Sequence, residues 1–316
     1  MKTGRGGRLA RRVTVAVLVL ASLWGLGAWL DRPPVPTGEW IAAAGLEASD
    51  VLVGGRRLRY VRAGAGTPVV LVHGFASSLY TWKDVLPGLA RAHDVVALDL
   101  PGFGASDQPG ELSFEDFPAA VLGLMDALGI DRAALVGNSL GGATVAVVAV
   151  RHPGRVSALV LVDSAGFHLA DADRPAVVRL AMSPAGRLLD VLPLRRLAVE
   201  ISLRQVLHDP SLVTEERVAE YLAPLLRPGA LASIRSLART PSREATDFAR
   251  ALAAIEAPTL VVWGRNDAWI PVADADRFVS TIPGAEKLVL EDCGHVPEEE
   301  KPRAVTEALL RFLSGP

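Results

Sequence analysis

Apolar residues in this chain gather into short unbroken runs, separated by longer stretches with helical spacing. The runs are residues 68–72 (PVVLV), 95–98 (VVAL), 133–136 (AALV), 156–162 (VSALVLV), 259–263 (TLVVW) and 287–290 (KLVL). Valine- and leucine-rich segments of this length suit strands covered on both faces, where neither row of side chains meets water. Between the runs, residues 114–128 place Phe117, Val121, Leu124, Met125 and Leu128 at helical intervals. Further helices are expected from about 80 to 90, 140 to 150 and 304 to 313. Residues 51–53 and 58–61 flank Gly54-Gly55 and predict a hairpin. Strands that alternate with helices predict an α/β fold, a mostly parallel β-sheet with helices on both faces.

The rhythm breaks between 167 and 248. This stretch carries Leu, Ala and Arg at helical spacing, cut by Pro184, Pro193, Pro210, Pro224 and Pro228. It predicts several short helices and no strand. An insertion of that size at the C-terminal edge of a sheet is expected to sit over an active site as a helical cap; the alternative is a peripheral decoration. The core is then 38–166 together with 249–316, with the cap at 167–248.

Residues 1–37 form a separate piece. Lys2, Arg5, Arg8, Arg11 and Arg12 precede an uncharged apolar run from Val13 to Leu30. As a helix the run is about 27 Å long, near the thickness of a bilayer core. Trp24 and Trp29 lie near its far end, as interfacial aromatics do. A membrane anchor is expected, with the basic flank cytoplasmic and the remaining chain on the outer side. A cleaved signal peptide, with secretion of the product, is the alternative. Residues 31–37, with Pro33, Pro34 and Pro36, predict a stiff non-helical linker.

Composition narrows the partners. The 316 residues carry 33 Lys and Arg against 35 Asp and Glu, a net charge of −2, which gives no reason to expect nucleic acid. Cys293 is the single cysteine and cannot form an internal disulfide. No Cys/His spacing suggests zinc, and neither metal nor cofactor is expected.

Chemistry concentrates at Gly137-Asn138-Ser139-Leu140-Gly141-Gly142, between an expected strand and an expected helix. The Gly-x-Ser-x-Gly pattern predicts a nucleophile elbow, a turn so sharp that side chains beside the serine would clash. A serine hydroxyl needs a base. His295, in Glu291-Asp292-Cys293-Gly294-His295, follows the last run and falls at the same sheet edge. His93, His152, His168 and His208 fall elsewhere, as surface or packing residues. Asp267, in Gly264-Arg265-Asn266-Asp267, is the expected carboxylate partner; Asp163 is the second candidate, and Asp292 is expected only to cap a loop. The backbone N–H groups of Leu140 and Phe75 are the expected oxyanion donors, with His73 bracing the latter loop.

With these motifs, and with Asp99-Leu100-Pro101-Gly102-Phe103-Gly104, the sequence from about 50 to 315 resembles the α/β-hydrolase superfamily. The resemblance implies that fold, with an inserted cap and a Ser139–Asp267–His295 triad. It implies a serine esterase or lipase-like enzyme that cleaves esters of apolar small molecules or lipids through an acyl-enzyme. The elbow and Cys293-Gly294-His295 are also similar to carbon–carbon-bond hydrolases. That activity, or acyl transfer, is the alternative chemistry, and an inactive anchored binding protein the alternative class.

Overall fold

Eight strands form one sheet in a computed structural model that describes residues 4–32, 37–167, 176–187, 194–237 and 250–315. They are β1 (Ala48–Val53), β2 (Arg56–Ala63), β3 (Thr67–Val72), β4 (His93–Leu98), β5 (Ala133–Asn138), β6 (Val156–Val162), β7 (Thr259–Gly264) and β8 (Glu286–Leu290). Their spatial order is β1-β2-β4-β3-β5-β6-β7-β8. The β1–β2 and β2–β4 pairs are antiparallel; every other pair is parallel. Gly54 and Gly55 join β1 to β2 with φ of 57° and 79°, the positive dihedrals that a two-residue hairpin turn needs.

The helices are α1 (Gly4–Leu30), α2 (Glu39–Ala43), α3 (Leu86–Leu89), α4 (Asp116–Ala127), α5 (Leu140–Arg151), α6 (Ala176–Met182), α7 (Arg195–Val206), α8 (Glu215–Leu225), α9 (Ala230–Ser236), α10 (Ala273–Thr281), α11 (Pro297–Glu300) and α12 (Pro302–Leu313). Alternate strand residues serve two cores, because successive side chains point to opposite faces. Val70, Val72, Val96, Leu135 and Val261 join Phe117 and Leu124 of α4, Val145 of α5 and Phe278 of α10. Val69, Leu71, Val95, Val136 and Val262 join Leu86 and Leu89 of α3 and Val305 and Leu309 of α12. The continuous apolar runs follow from this two-sided burial.

The helix expected from 80 to 90 is not continuous. A 3-10 turn, Leu79–Trp82, and the one-turn α3 replace it. Pro87 has no N–H to extend a helix backwards. Gly88 lies so close to α12 that an added Cβ would sit 2.6 Å from Thr306 Cγ2. Between 167 and 248 the described residues contain the helices α6 to α9 and no strand. Residues 168–175, 188–193 and 238–249, His168 among them, lie outside the described residues.

Helix α1 leaves Val13, Val17, Leu18, Trp24 and Trp29 exposed. Among the described residues no helix is long and apolar enough to cross a membrane. The side chains of Arg12, Ala16, Leu20, Leu23 and Leu30 lie outside the described residues, so the span expected from Val13 to Leu30 falls partly beyond them. So do residues 33–36 of the expected linker. The foot of α1 is joined to the insertion: buried Asp31 accepts a hydrogen bond from the Arg196 N–H of α7 at 3.0 Å.

Candidate active site

Ser139 stands between β5 and α5 with φ 53° and ψ −116°. This is a strained conformation for a residue with a side chain, held by its surroundings. The flanking glycines explain how the turn closes. A Cβ on Gly137 would lie 2.3 Å from the Gly141 carbonyl oxygen, and one on Gly141 would lie 2.2 Å from that of Val72. The second clash is with β3, so the elbow needs glycine both to turn and to pack against the neighbouring strand. Leu140 is the first residue of α5, where N–H groups have no partner within the helix.

His295 lies on the loop after β8 and is almost completely buried. Its N–H donates to the Val206 carbonyl at 2.7 Å, and its own carbonyl accepts from Asn138 Nδ2 at 3.0 Å. The ring is therefore held between helix α7 and the elbow. Nδ1 lies 2.7 Å from Asp267 Oδ2, and Trp269 covers the ring with centroids 5.5 Å apart. The other oxygen of Asp267 accepts from the N–H groups of Trp269 and Ile270 at 2.7 and 3.0 Å. A carboxylate fixed in this way holds the imidazole with its proton on Nδ1, which leaves Nε2 to accept one. Nε2 is buried without a hydrogen-bond partner, and His295 lines the same cavity as Ser139.

The other carboxylates separate clearly. Asp292 has a side chain 83% exposed and lies 3.9 Å from His208, away from the cavity. Asp163 is completely buried behind Asp267, with Oδ1 accepting from the Gly264 N–H at 3.0 Å. Burial, and next the charge of Asp267, push its carboxyl well above the usual range. Ligand atoms of Asp163, Asp267 and His295 lie within 4.8 Å of one another, the one cluster among the described residues with three potential metal ligands close enough together. Asp267 and His295 spend theirs on the hydrogen bonds just described.

His73 is buried and braces the loop after β3. Nδ1 donates to the Gly74 carbonyl at 2.7 Å, and Nε2 accepts from the Leu100 N–H at 3.0 Å. Both contacts require the neutral ring, and burial lowers its pKa to about 4. The Gly74 carbonyl shares a planar peptide with the Phe75 N–H, so holding the oxygen turns the N–H the opposite way. Gly74, Phe75 and Ala76 line the cavity beside Ser139. Asp99 secures the same region from below. Its carboxylate accepts from the N–H groups of Leu79 and Ala105, each at 2.7 Å, and burial raises its pKa to about 6.

The cavity and its mouth together hold about 930 Å³ of space, part of it open to solvent. Its floor is the elbow, the Gly74–Ser77 loop and His295. Its roof is mainly apolar, with Val178 of α6, Ala198, Val199 and Leu203 of α7, Leu225 of α8, and Leu231 and Ile234 of α9; Arg195 and Ser202 of α7 and Tyr221 of α8 also line it.

A buried polar array behind this cavity joins roof to floor and left no readable signal in the sequence. Arg217 Nε of α8 lies 2.8 Å from Glu299 Oε2 of α11, a close charge contact rather than an aligned hydrogen bond. The Tyr221 hydroxyl donates to Glu299 Oε1. Thr81 Oγ1 lies 2.7 Å from Glu299 Oε1 and 2.9 Å from Glu298 Oε1. Burial, and next the charge of Glu299, push the Glu298 carboxyl well up. A neutral Glu298 can donate to Thr81, which then donates to Glu299. Asn138 and Trp269 could have been suspected from their place beside the motifs. Arg217, Tyr221, Glu298 and Glu299 look like ordinary surface residues of amphipathic helices.

Such an arrangement belongs to hydrolases that attack through a serine raised on a strand-to-helix turn. Residues 67–302 match the alpha/beta hydrolase fold family, and the chain belongs to it. It is 37% identical over 269 residues to a dihydrolipoyllysine-residue acetyltransferase component of an acetoin cleaving system from Pseudomonas putida, covering 83% of this chain and 68% of that protein. It is 31% identical to a 2-hydroxymuconate semialdehyde hydrolase of Pseudomonas sp. (strain CF600), covering 84% of this chain and 93% of that enzyme. Among solved structures, a membrane phospholipase A described as a bacterial virulence factor superposes with a TM-score of 0.70 at 27% identity, covering 98% of this chain and 97% of the other. The protein is an α/β-fold hydrolase.

Proposed function

We propose that the protein is a carboxylic ester hydrolase acting on lipid-like esters through an acyl-enzyme on Ser139. The observation that carries this reading is the join of a polar floor to an apolar roof. Ser139, His295 and the Gly74–Ser77 loop meet in a cavity whose other walls are mainly Val, Leu, Ile and Ala, with Arg195, Ser202, Tyr221 and Trp269 among them. In the proposed cycle His295 Nε2 takes the hydroxyl proton as Ser139 attacks the ester carbonyl. Phe75 and Leu140 N–H groups receive the developing oxyanion, and His295 returns the proton to the leaving alcohol. Water then repeats the sequence on the acyl-enzyme. The apolar wall suits an acyl chain and keeps bulk water from the reaction.

The N-terminal segment is part of the proposal. We infer that Val13 to Leu30 anchors the protein in a bilayer, with the hydrolase on the outer side. Three observations support this. Val13, Val15, Val17, Leu18, Val19, Trp24, Leu26 and Trp29 of α1 are exposed. The likeness to the membrane phospholipase A leaves out only 2% of 316 residues, about six, so it takes in most of α1. The contact of Asp31 with Arg196 sets the foot of α1 beside the first turn of α7, where Leu194 and Leu197 are exposed and Arg195 and Ala198 line the cavity. A lipid leaving the bilayer there has a short path to Ser139.

Relatives that hydrolyse carbon–carbon bonds supply the second reading, favoured by 31% identity over most of both chains. A fluorophosphonate probe and a panel of p-nitrophenyl esters, lysophospholipids and a ring-cleavage dienoate separate the two. Labelling of Ser139 with turnover of the lipid-like esters is expected. Turnover of the dienoate alone would overturn the ester reading. Protease protection of full-length protein in spheroplasts tests the anchor separately. The hydrolase domain is expected to be cleaved from outside while α1 stays in the membrane fraction.

A further inference from the structure

We propose that Asp163 is a positioning residue: a neutral carboxylic acid whose hydroxyl donates to Asp267 and so completes the hydrogen-bond set that aims the triad acid at His295. The inference rests on the Ser139–His295–Asp267 reading.

The geometry comes from strand ends. Asp163 is the first residue past β6, and Asp267 lies three residues past β7. These strands are hydrogen-bonded neighbours, so their C-terminal loops emerge side by side. The Asp163 backbone has φ 41°, a left-handed conformation uncommon for a residue with a side chain. Its N–H donates to the Val262 carbonyl at 3.0 Å and its Oδ1 accepts from the Gly264 N–H at 3.0 Å, which leaves little freedom for the carboxyl. Oδ2 is buried and receives no N–H or O–H.

An ionised oxygen in that position would lack both solvent and a donor, beside a second carboxylate. Two adjacent buried carboxyl groups cannot both hold a charge, and one keeps its proton. The hydrogen-bond pattern assigns which. Asp267 accepts two backbone N–H groups and faces His295 Nδ1, all of which favour its anion. Asp163 has a single donor. The other titratable groups near Asp163, Glu298 of α11 and Cys293 of the loop after β8, raise its proton affinity or are raised by it. A proton on Oδ2 resolves both problems at once: the buried oxygen becomes a donor, and the Asp267 carboxylate, its side-chain hydrogen-bond neighbour, receives it. The consequence is a triad carboxylate fixed by hydrogen bonds from two loops, those after β6 and β7.

Asparagine and glycine separate this role from a scaffolding one. Asp163→Asn keeps a carbonyl for Gly264 and supplies an N–H₂ for Asp267, and asparagine tolerates positive φ. Asp163→Gly removes the side chain without straining the backbone. The expected result is an Asn variant within about threefold of the parent in kcat with an unchanged pH profile. The Gly variant should lose about tenfold to a hundredfold in kcat at similar KM, the size of one lost hydrogen bond to a charged group. Its acidic limb of kcat/KM should move upward, because an Asp267 anion without that donor stabilises the imidazolium more. Infrared difference spectra of the parent minus Asp163→Asn should contain the carbonyl stretch of a protonated carboxylic acid, a signal that needs no turnover. That spectrum tests the proton even if Ser139→Ala shows the triad reading to be wrong or the Gly variant does not fold. An Asn variant as impaired as the Gly variant, or no protonated carbonyl band, would overturn the proposal.

Discussion

The loops at the sheet edge and the helices above them enclose one cavity with different materials. At the edge, every reactive group is held by short polar contacts. His295 has bonds to Val206, Asn138 and Asp267, Asp267 to Trp269 and Ile270, and His73 to Gly74 and Leu100. Four of its residues, Ala76, Ser139, Asp163 and Asp292, have positive φ without being glycine. In the roof, the residues that face the cavity are mainly aliphatic, and they hold their places by packing. Val199, Leu203, Val206, Val218 and Leu222 form a small core of their own. The difference teaches a division of labour. Directional bonds over-determine the chemistry, whereas a wall of aliphatic side chains can change its shape at small cost.

The comparison breaks hardest at the nucleophile. Ser139→Ala should lower ester turnover about 10⁴-fold or more while the fold stays intact, since the hydroxyl takes no part in packing. Near-parental turnover in a burst assay would remove Ser139 from the mechanism. Asp267→Asn should follow closely, at about 10³- to 10⁴-fold, because an amide can leave the imidazole in the wrong tautomer. Paired with Asp163→Asn it also decides which aspartate is the triad acid: collapse of the second variant alone would reverse the assignment.

Cutting the buried array tests whether roof and floor are one unit. Arg217→Met leaves Glu299 buried without its cation and is expected to destabilise the protein by about 3–5 kcal/mol. Chemical denaturation measures the loss. A change below about 1 kcal/mol would mean that the cap is not locked through this contact.

A pH series sharpens the account of the floor. Folded His73 stays neutral down to about pH 4, whereas the unfolded residue takes up a proton near 6.5. Its contribution is thus complete above 6.5 and is lost as pH falls towards 4, an effect of about 3 kcal/mol for a fully buried ring. Asp99 runs the other way. It keeps its proton to about 6 when folded and loses it near 3.8 when unfolded, so its contribution falls as pH rises through that window. Total stability mixes the two, but the difference between the parent and His73→Gln isolates the histidine. That difference in urea unfolding free energy should grow from pH 4 to 6.5. A difference that shrank would show a charged His73.

The smallest effect is expected in the roof. Leu203→Ala and Leu231→Ala should shift the preference between short and long p-nitrophenyl esters by about tenfold, while leaving reactivity towards a small phosphonate intact. Unchanged selectivity in both would count against a cap that shapes the acyl pocket.

Much of this molecule follows from local sequence. The parallel strands were legible because burial on both faces writes a continuous apolar run, and the elbow because its turn and its approach to β3 exclude any Cβ at Gly137 and Gly141. His295 and Asp267 stood out because each follows such a run, and strand ends in a parallel sheet converge on one edge. The helix expected from 80 to 90 failed because its apolar spacing was real, yet Pro87 and the closeness of Gly88 to α12 broke it into two turns. Only the tertiary structure decided the rest. Arg217 and Tyr221 share helix α8, Glu299 lies 78 residues beyond Tyr221, none carries a motif, and only the seating of α8 over α11 turns them into a buried array. Asp163 and Asp267 were rivals in the sequence. Side by side in one buried space they become, in our proposal, complementary, because neighbouring carboxyl groups without solvent must divide one charge between them.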